Sequence, residues 1–305
     1  LGDRGNRDSA QDEQNHSGSV IRILLNKGEK SKLIKDITIN KLIYYVIYFT
    51  QYSLRKSKKI RKIIFDNFSN QEFRFYNRGY NFILFNNDKY VSRTTYINGP
   101  YDYNLLIKSK KKVKKKIDYL IDVGSNIGTF CIPAVKDKII KECIAIEPIE
   151  KIYKILKINI ALNNLENKIH TYKNVVSNKK GQSVSVLFDK NNYGNNKFKL
   201  SKTKKNFSTI KLDDFINYFE VKKLIIKIDV QGFEDKVLLG SKKLIANKVP
   251  LIIEIDHEFS RKKNFKEIIK LINKNYRFFC NLDNNEIKKQ INLLEKDILN
   301  LQKNK

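Results

Sequence analysis

The chain contains no methionine, not even at position 1, so we expect its natural N-terminus to be missing or misassigned. Cysteine is scarce: Cys131, Cys143 and Cys280 make an odd number without metal-ligand spacing. Two of them fall in apolar stretches where a thiol acts as a small hydrophobe, which favours a reducing cytoplasm. No secretory signal opens the sequence. No apolar run approaches the ~20 residues a membrane span requires; the uncharged, aromatic-rich stretch Leu42 to Leu54 is too short. Arginine is rare beside lysine, and few arginines or glycines stand between aromatics, so a base-reading surface is not expected despite a net charge of +29. Lysine, asparagine and isoleucine dominate throughout, as very AT-rich coding produces, and we expect that to outweigh a nucleic-acid or membrane origin of the charge.

What is present centres on Tyr119-Leu-Ile-Asp-Val-Gly-Ser-Asn-Ile-Gly-Thr-Phe130. Leu120, Ile121 and Val123 read as a buried strand, Gly124 and Gly128 as a turn, and Ile127 to Val135 as the opening of a helix. Such a turn is expected to offer backbone N–H groups and the positive end of a helix to a charged ligand. Cys143-Ile-Ala-Ile-Glu-Pro148 reads as a second strand ending in an acid, the position that takes ribose hydroxyls in nucleotide-binding α/β sheets. Asp122, Gly124, Gly128 and Glu147 together point to an adenosine-type cofactor. The spacing is D-x-G-x-x-x-G, with Asn126 where a dinucleotide fingerprint places its second glycine. S-adenosylmethionine, which has no phosphate and carries an ammonium and a sulfonium, suits Asp122 better than a pyrophosphate does.

Around this stretch the chain divides into four parts. Residues 1–19 lack lysine and almost all large apolar residues; they are expected to be a disordered tail, its native origin left open. Residues 20–115 read as a helical and β-hairpin extension. Val20 to Lys62 supplies one or two helices, expected to pack onto the main domain, with an interfacial helix making peripheral membrane contact as the alternative. Phe73–Tyr76, Tyr80–Phe85 and Tyr90–Ile97 alternate like strands, with Asn86-Asn-Asp88 as a turn, and Lys108 to Lys116 reads as a solvated charge run. Residues 116–283 alternate strands with helices: strands at Ile169–Val176, Ser183–Phe188, Leu224–Asp229, Leu251–Ile255 and Tyr276–Asn281, helices at Ile149–Leu162, Leu212–Phe219, Glu234–Ala246 and Phe265–Asn273. This pattern predicts a mostly parallel, doubly wound sheet with its ligand at the strand carboxyl ends. Residues 284–305 space Ile287, Ile291, Leu294, Ile298 and Leu301 as an amphipathic helix; the oligomeric state stays open.

In order, Ile121-Asp-Val-Gly-Ser-Asn-Ile-Gly-Thr-Phe130, Ile146-Glu-Pro148, Lys211-Leu-Asp-Asp214, Ile226-Lys-Ile-Asp-Val-Gln-Gly-Phe-Glu234 and Val237-Leu-Leu-Gly240 resemble the FkbM family of S-adenosylmethionine-dependent methyltransferases. The likeness spans roughly residues 85 to 283. It implies a Rossmann-like class I methyltransferase fold and O-methylation of a hydroxyl on a sugar, glycan or small-molecule acceptor. It also implies that Asp122, Gly124, Asn126 and Gly128 hold the methionine end, Glu147 the ribose, and Val175 and Val176 the adenine. The family often has Glu where this chain has Gln231, so any acid role falls to Asp229 and Glu234.

Methyl transfer needs alignment and a base for the acceptor's proton. Asp229 and Glu234, five apart across a strand–glycine–helix turn, are candidates, and so is His257, three past Glu254. Each has a plainer reading: Asp229 as organiser of the turn, Glu234 as a first-turn acid, His257 as a loop residue. No metal site is expected from the spacing. Three alternatives compete: an RNA methyltransferase, a non-catalytic membrane-surface or assembly protein with a Rossmann-like ligand-binding domain, and, weakest, a dehydrogenase.

Overall fold

The structure, a computed structural model, describes residues 57–67, 72–77, 79–187, 197–200, 207–255, 258–282 and 286–288. The chain divides into two compact units, Leu1–Ile64 and Phe65–Lys305. Of the first, only the residues that open helix α1 (Lys58–Asp66) are described. The expected tail over residues 1–19 and most of the helical segment from Val20 lie outside the described residues. No described helix is long and apolar enough to cross a membrane.

Strands β1 (Glu72–Asn77) and β2 (Tyr80–Phe85) form the expected hairpin, with Glu72 opposite Phe85 and Asn77 opposite Tyr80. Their alternation buries Phe75, Phe82 and Leu84. The ring of Tyr96 lies 5.0 Å from Phe75, 5.7 Å from Phe65 and 5.8 Å from Phe73, so one aromatic cluster closes the hairpin's inner face. Tyr96 does not come from a third strand: Val91–Asn98 is helix α2. Asp88 decides this by accepting the backbone N–H groups of Tyr90 (3.2 Å) and Ser92 (2.8 Å), which gives the helix its N-terminal acceptor. Val91, Ser92, Thr95 and Tyr96 are buried, a helical spacing hidden by the small polar residues in it. The charge run is likewise helical, as α3 (Tyr103–Lys112). Its Lys108 and Lys110 donate to the carbonyls of Leu282 (2.9 Å) and Ile139 (2.6 Å).

From here the chain alternates through β3 (Tyr119–Val123), α4 (Cys131–Lys136), β4 (Glu142–Ile146), α5 (Glu150–Leu162) and β5 (Ile169–Tyr172). Short strands β6 (Val175–Val176), β7 (Ser183–Leu187), β8 (Lys197–Leu200) and β9 (Phe207–Ile210) follow, then β10 (Leu224–Ile228), α6 (Glu234–Leu239), α7 (Lys242–Ala246), β11 (Leu251–Ile253) and α8 (Phe265–Asn275). Leu212–Phe215, expected as helix, is a short 3-10 turn. Strands β12 (Phe279–Asn281) and β13 (Glu286–Lys288) end the described chain.

The central sheet has the order β11-β10-β3-β4-β5 with every pair parallel. This agrees with the doubly wound α/β expectation. Leu120, Ile121, Ile144, Leu224 and Ile226 are fully buried, as the continuous apolar runs of a sheet covered on both faces require. Two asparagines one helical turn apart, Asn159 on α5 and Asn163 at its C-terminal cap, tie the hairpin to this core. Asn159 accepts the Ile83 amide (2.5 Å) and donates to the carbonyl of Ile127 (2.9 Å); Asn163 accepts from Asn81 N and donates to its carbonyl.

Two expected strands depart from the main sheet. The strand expected over Ile169–Val176 breaks after Tyr172, which stands opposite Ile146 at the end of β4 and whose carbonyl accepts the Glu147 amide (3.1 Å). Val175 and Val176 pair instead with Thr209 and Ile210 in a side sheet of order β6-β9-β7-β8. At the C-terminal end, among the described residues, β12 pairs only with β13. The amphipathic helix over 284–305 therefore does not begin where its spacing places it. Asp283-Asn-Asn285 is a turn sequence, and it leads into a strand. The rest of that segment lies outside the described residues.

Candidate active site

Strand order reverses at β3: the chain winds to β4 and β5 on one side and later to β10 and β11 on the other. The loops after β3 and β10 therefore part, and a cleft opens at their carboxyl ends. A cavity of about 210 Å³ lies there, walled by Gly124 to Asn126, Glu147, Val175, Val176, Asp229 and Glu254 among others.

The turn after β3 does not use its amides as expected. Gly124 N and Ser125 N both donate to the Ile146 carbonyl (3.0 and 3.1 Å), and Gly128 N donates to that of Ser125 (2.9 Å). Asn126 N donates to Glu147 Oε2 (3.1 Å), and Ile127 N to the side chain of Asn126 (2.8 Å). Every amide from Gly124 to Gly128 is thus satisfied within the protein. The turn is a rigid wall rather than an anion cradle, because its positive-φ residues (Gly124, Asn126 and Gly128) fold it back on β4. Gly124 is needed for a second reason: a Cβ there would stand 1.8 Å from the Asp229 carbonyl oxygen. The two strand ends meet backbone to backbone.

Glu147 sits at the tip of β4, buried, with Oε1 accepting the Ile149 amide (2.9 Å) and Oε2 that of Asn126. Burial pushes its pKa up to about 7, although both hydrogen bonds pull the other way. Val175 and Val176 stand beside it as an apolar wall. These three residues line one side of the cavity together.

Asp122 is not where the sequence placed it. Alternation along β3 turns its side chain away from the cavity, and it is fully buried with neither carboxylate oxygen hydrogen-bonded. Its charged neighbour is Lys227 of β10, whose Nζ lies 3.7 Å from Oδ1. Lys227 also donates to Asp229 Oδ2 (3.0 Å) and to the Gly124 carbonyl (3.3 Å). Burial opposes the charge on Lys227, but Asp229 and Asp122 outweigh it and hold the pKa above the ordinary lysine value. Asp122 therefore reaches the cavity only through Lys227.

The opposite half of the cavity is acidic. Asp229, in an ion pair with Lys227, also accepts from Gln231 Nε2 (2.9 Å). Burial favours its neutral form, yet Lys227 prevails and holds its pKa low. One carboxylate oxygen from each of Asp102, Asp229 and Glu254 lies within 4.8 Å of the other two. Glu254, at the end of β11, is pushed up to about 7 by partial desolvation and by Asp229. Glu234 does not join them. It is buried at the start of α6, where its Oε1 accepts the Gly232 amide (2.9 Å), and it does not line the cavity. His257 lies outside the described residues.

Compared with known proteins, residues 122–278 match the model described as the Methyltransferase FkbM domain, which is just over half of the chain. The chain belongs to this family. No curated protein matches it. Among solved structures, a complex of aTrm5 with tRNALeu is 27% identical over 33% of this chain and 27% of that one, with a TM-score of 0.26. TYW2 of M. jannaschii, in complex with AdoMet, is 23% identical over 34% and 43%, with a TM-score of 0.24. A Pyrococcus horikoshii protein is 16% identical over 69% and 63%, with a TM-score of 0.33. The chain thus spans from about a quarter to under two thirds of these proteins, and likenesses this loose carry no argument here.

Within the FkbM methyltransferase domain, sequence reasoning missed Lys227, Gln231 and Glu254 as members of the site. The first two stood inside a quoted motif, and Glu254 stood at a recognised strand end. Tyr101 and Asp102 also line the cavity. Burial and the charges of Asp102, Glu254 and Asp229 push the Tyr101 phenol up to about 12.

The donor set fits an S-adenosylmethionine-type group. Glu147 offers a buried carboxylate beside an apolar wall, and carboxylates line the far side. Lys227, the lysine that lines the cavity, is occupied by Asp122 and Asp229. A pyrophosphate would find neither free amides between Gly124 and Gly128 nor an unengaged cation there.

Proposed function

We propose that the chain transfers a methyl group from S-adenosylmethionine to a hydroxyl of a neutral, polyhydroxylated acceptor, a sugar or glycan rather than an RNA. The observation that carries this is the division of the cavity into a Glu147–valine half and an acidic half. Bound there, S-adenosylmethionine supplies a methyl group on a positively charged sulfur, already activated for displacement. Glu147 would take ribose hydroxyls, Val175 and Val176 would flank the adenine, and Asn126 and the Gly124 carbonyl would face the methionine end. The anionic groups on the acceptor side, Asp102, Asp229 and Glu254, attract hydroxyl donors and repel phosphate. That supports a glycan over a polynucleotide, whatever the overall charge.

The test is calorimetric titration with S-adenosylhomocysteine, with NAD⁺ in parallel and Glu147→Ala as control. Micromolar binding of the first alone, lost in the variant, supports the reading. Binding of NAD⁺, or of neither, sinks it. Labelled S-adenosylmethionine offered with methyl glucoside or with bulk tRNA then separates the two acceptor classes. Transfer to tRNA that fades steeply with salt would favour RNA.

A further inference from the structure

Three acids converge on the acceptor side, and the structure divides their work. When an acceptor oxygen bonds to the transferred methyl carbon, the carbon–sulfur electron pair stays on sulfur and the hydroxyl proton must pass to a nearby base. Of the three, Asp229 has its backbone packed against Gly124 of the turn after β3, yet both its carboxylate oxygens are engaged, Oδ2 by Lys227 and Oδ1 by Gln231. Lys227 is itself fixed between Asp122 and the Gly124 carbonyl, so it cannot swing away and release Asp229. Glu254 also lines the cavity and is exposed, with a carboxylate oxygen within 4.8 Å of one on Asp229 and one on Asp102 and Asp229 as its side-chain hydrogen-bond partner. The backbone fixes it there: Glu254 N donates to the Ile228 carbonyl (3.1 Å), one residue before Asp229.

Resting on the methyltransferase reading above, we infer that Glu254, and not Asp229 or Glu234, is the group that accepts the acceptor's proton, with Lys227 as the positioning residue that keeps Asp229 paired. The charged and titratable groups facing Glu254 are Asp229, Asp102, Lys227 and Tyr101. Partial burial first, then the two like charges, raise its proton affinity, one cation lowers it, and the upward push prevails, to about 7. Asp229, with the same acids nearby but Lys227 in contact, moves the other way. Two neighbouring carboxylates separated in this manner form an acid–base pair in which one stays ionised and the other changes state near neutrality.

The test labels Asp and Glu side-chain carboxyls with 13C in the full chain and follows them by NMR through the acid-to-neutral range. The signal lost in Glu254→Gln should titrate near neutrality, and a Glu147→Gln sample removes the other carboxyl expected there. In Asp229→Asn the Glu254 midpoint should fall by about one unit or more. In Lys227→Met the upper midpoint should migrate to Asp229; should that variant not fold, Asp229→Asn decides alone. A Glu254 midpoint in the ordinary carboxylate range, a neutral midpoint belonging to Asp229, or no response to Asp229→Asn overturns the assignment. S-adenosylhomocysteine calorimetry on the same samples keeps the two proposals apart. No binding by the wild-type chain overturns the methyltransferase reading, whereas binding with an ordinary Glu254 midpoint overturns only the role of Glu254.

Discussion

Replacing Gly124 by alanine tests whether the cofactor turn and the β10 end are one rigid unit. Gly124 adopts φ +80, and its new Cβ would lie 1.8 Å from the Asp229 carbonyl oxygen and 3.0 Å from the carbonyl carbon. Neither atom can yield without moving the backbone that carries Asp229. The left-handed conformation alone costs an L-residue about 1–2 kcal/mol, and forcing two packed backbones apart adds about 1–3 kcal/mol. The sum is about 2–5 kcal/mol, or a fall in Tm of about 2–4 °C for each kcal/mol. Gly79 is the control: its φ is +91, and a Cβ there meets nothing within 4 Å. Gly79→Ala should therefore cost only the conformational part. Urea unfolding of the two variants gives the difference directly, and S-adenosylhomocysteine titration of the folded fraction of Gly124→Ala should show at least tenfold weaker binding. If the two alanine variants are equally stable and Gly124→Ala binds normally, the backbone contact does not organise the site and the reasoning fails.

Four further outcomes follow from the same geometry. Glu147 has its pKa raised to about 7 in the fold; an acid that binds its proton more tightly when folded loses stability as pH rises from the ordinary carboxylate value, 4.5, through 7. The loss reaches about 3 kcal/mol above neutrality, and pH-dependent unfolding of Glu147→Gln should lack that slope. Since the ionised form is the one that accepts ribose hydroxyls, S-adenosylhomocysteine affinity should fall about tenfold per pH unit below 7, as calorimetry at two pH values would reveal. Lys227→Met leaves Asp122 buried without its cation and should cost about 3–5 kcal/mol by urea unfolding; a loss under 1 kcal/mol would mean Asp122 is neutral in the fold. Asn159→Ala strands the Ile83 amide and the Ile127 carbonyl, for about 2–4 kcal/mol, and hydrogen exchange should show β2 opening ahead of the central sheet.

Much of the fold was legible because apolar runs bounded by turn residues say where strands begin and end. Leu120–Val123, Cys143–Ile146 and Leu224–Ile228 are buried on both faces and could not be misread. The misreadings arose where a local pattern served two structures. Tyr90–Ile97 alternates like a strand but is a helix because Asp88 caps it. Val175–Val176 continues an apolar run yet leaves the main sheet to pair with Thr209 and Ile210. Phe279–Asn281 pairs with Glu286–Lys288 across a turn sequence that also resembles the entry to a helix.

The sequence by itself determined the alternating α/β order, the family, and the pairing of a glycine turn with an acid at the next strand tip. These are encoded in residues close together along the chain, where spacing and burial period fix position. Only the tertiary structure decided what the charged residues do. Asp122 and Lys227 lie 105 positions apart in the chain, and parallel pairing of β3 with β10 sets Lys227 directly opposite Asp122. Asp102, Asp229 and Glu254 come from three segments and meet only where the strand order reverses. A carboxylate's role depends on which charges stand within a few ångströms and on how much water is left around it. Sheet order sets both, and no single segment of this chain contains them.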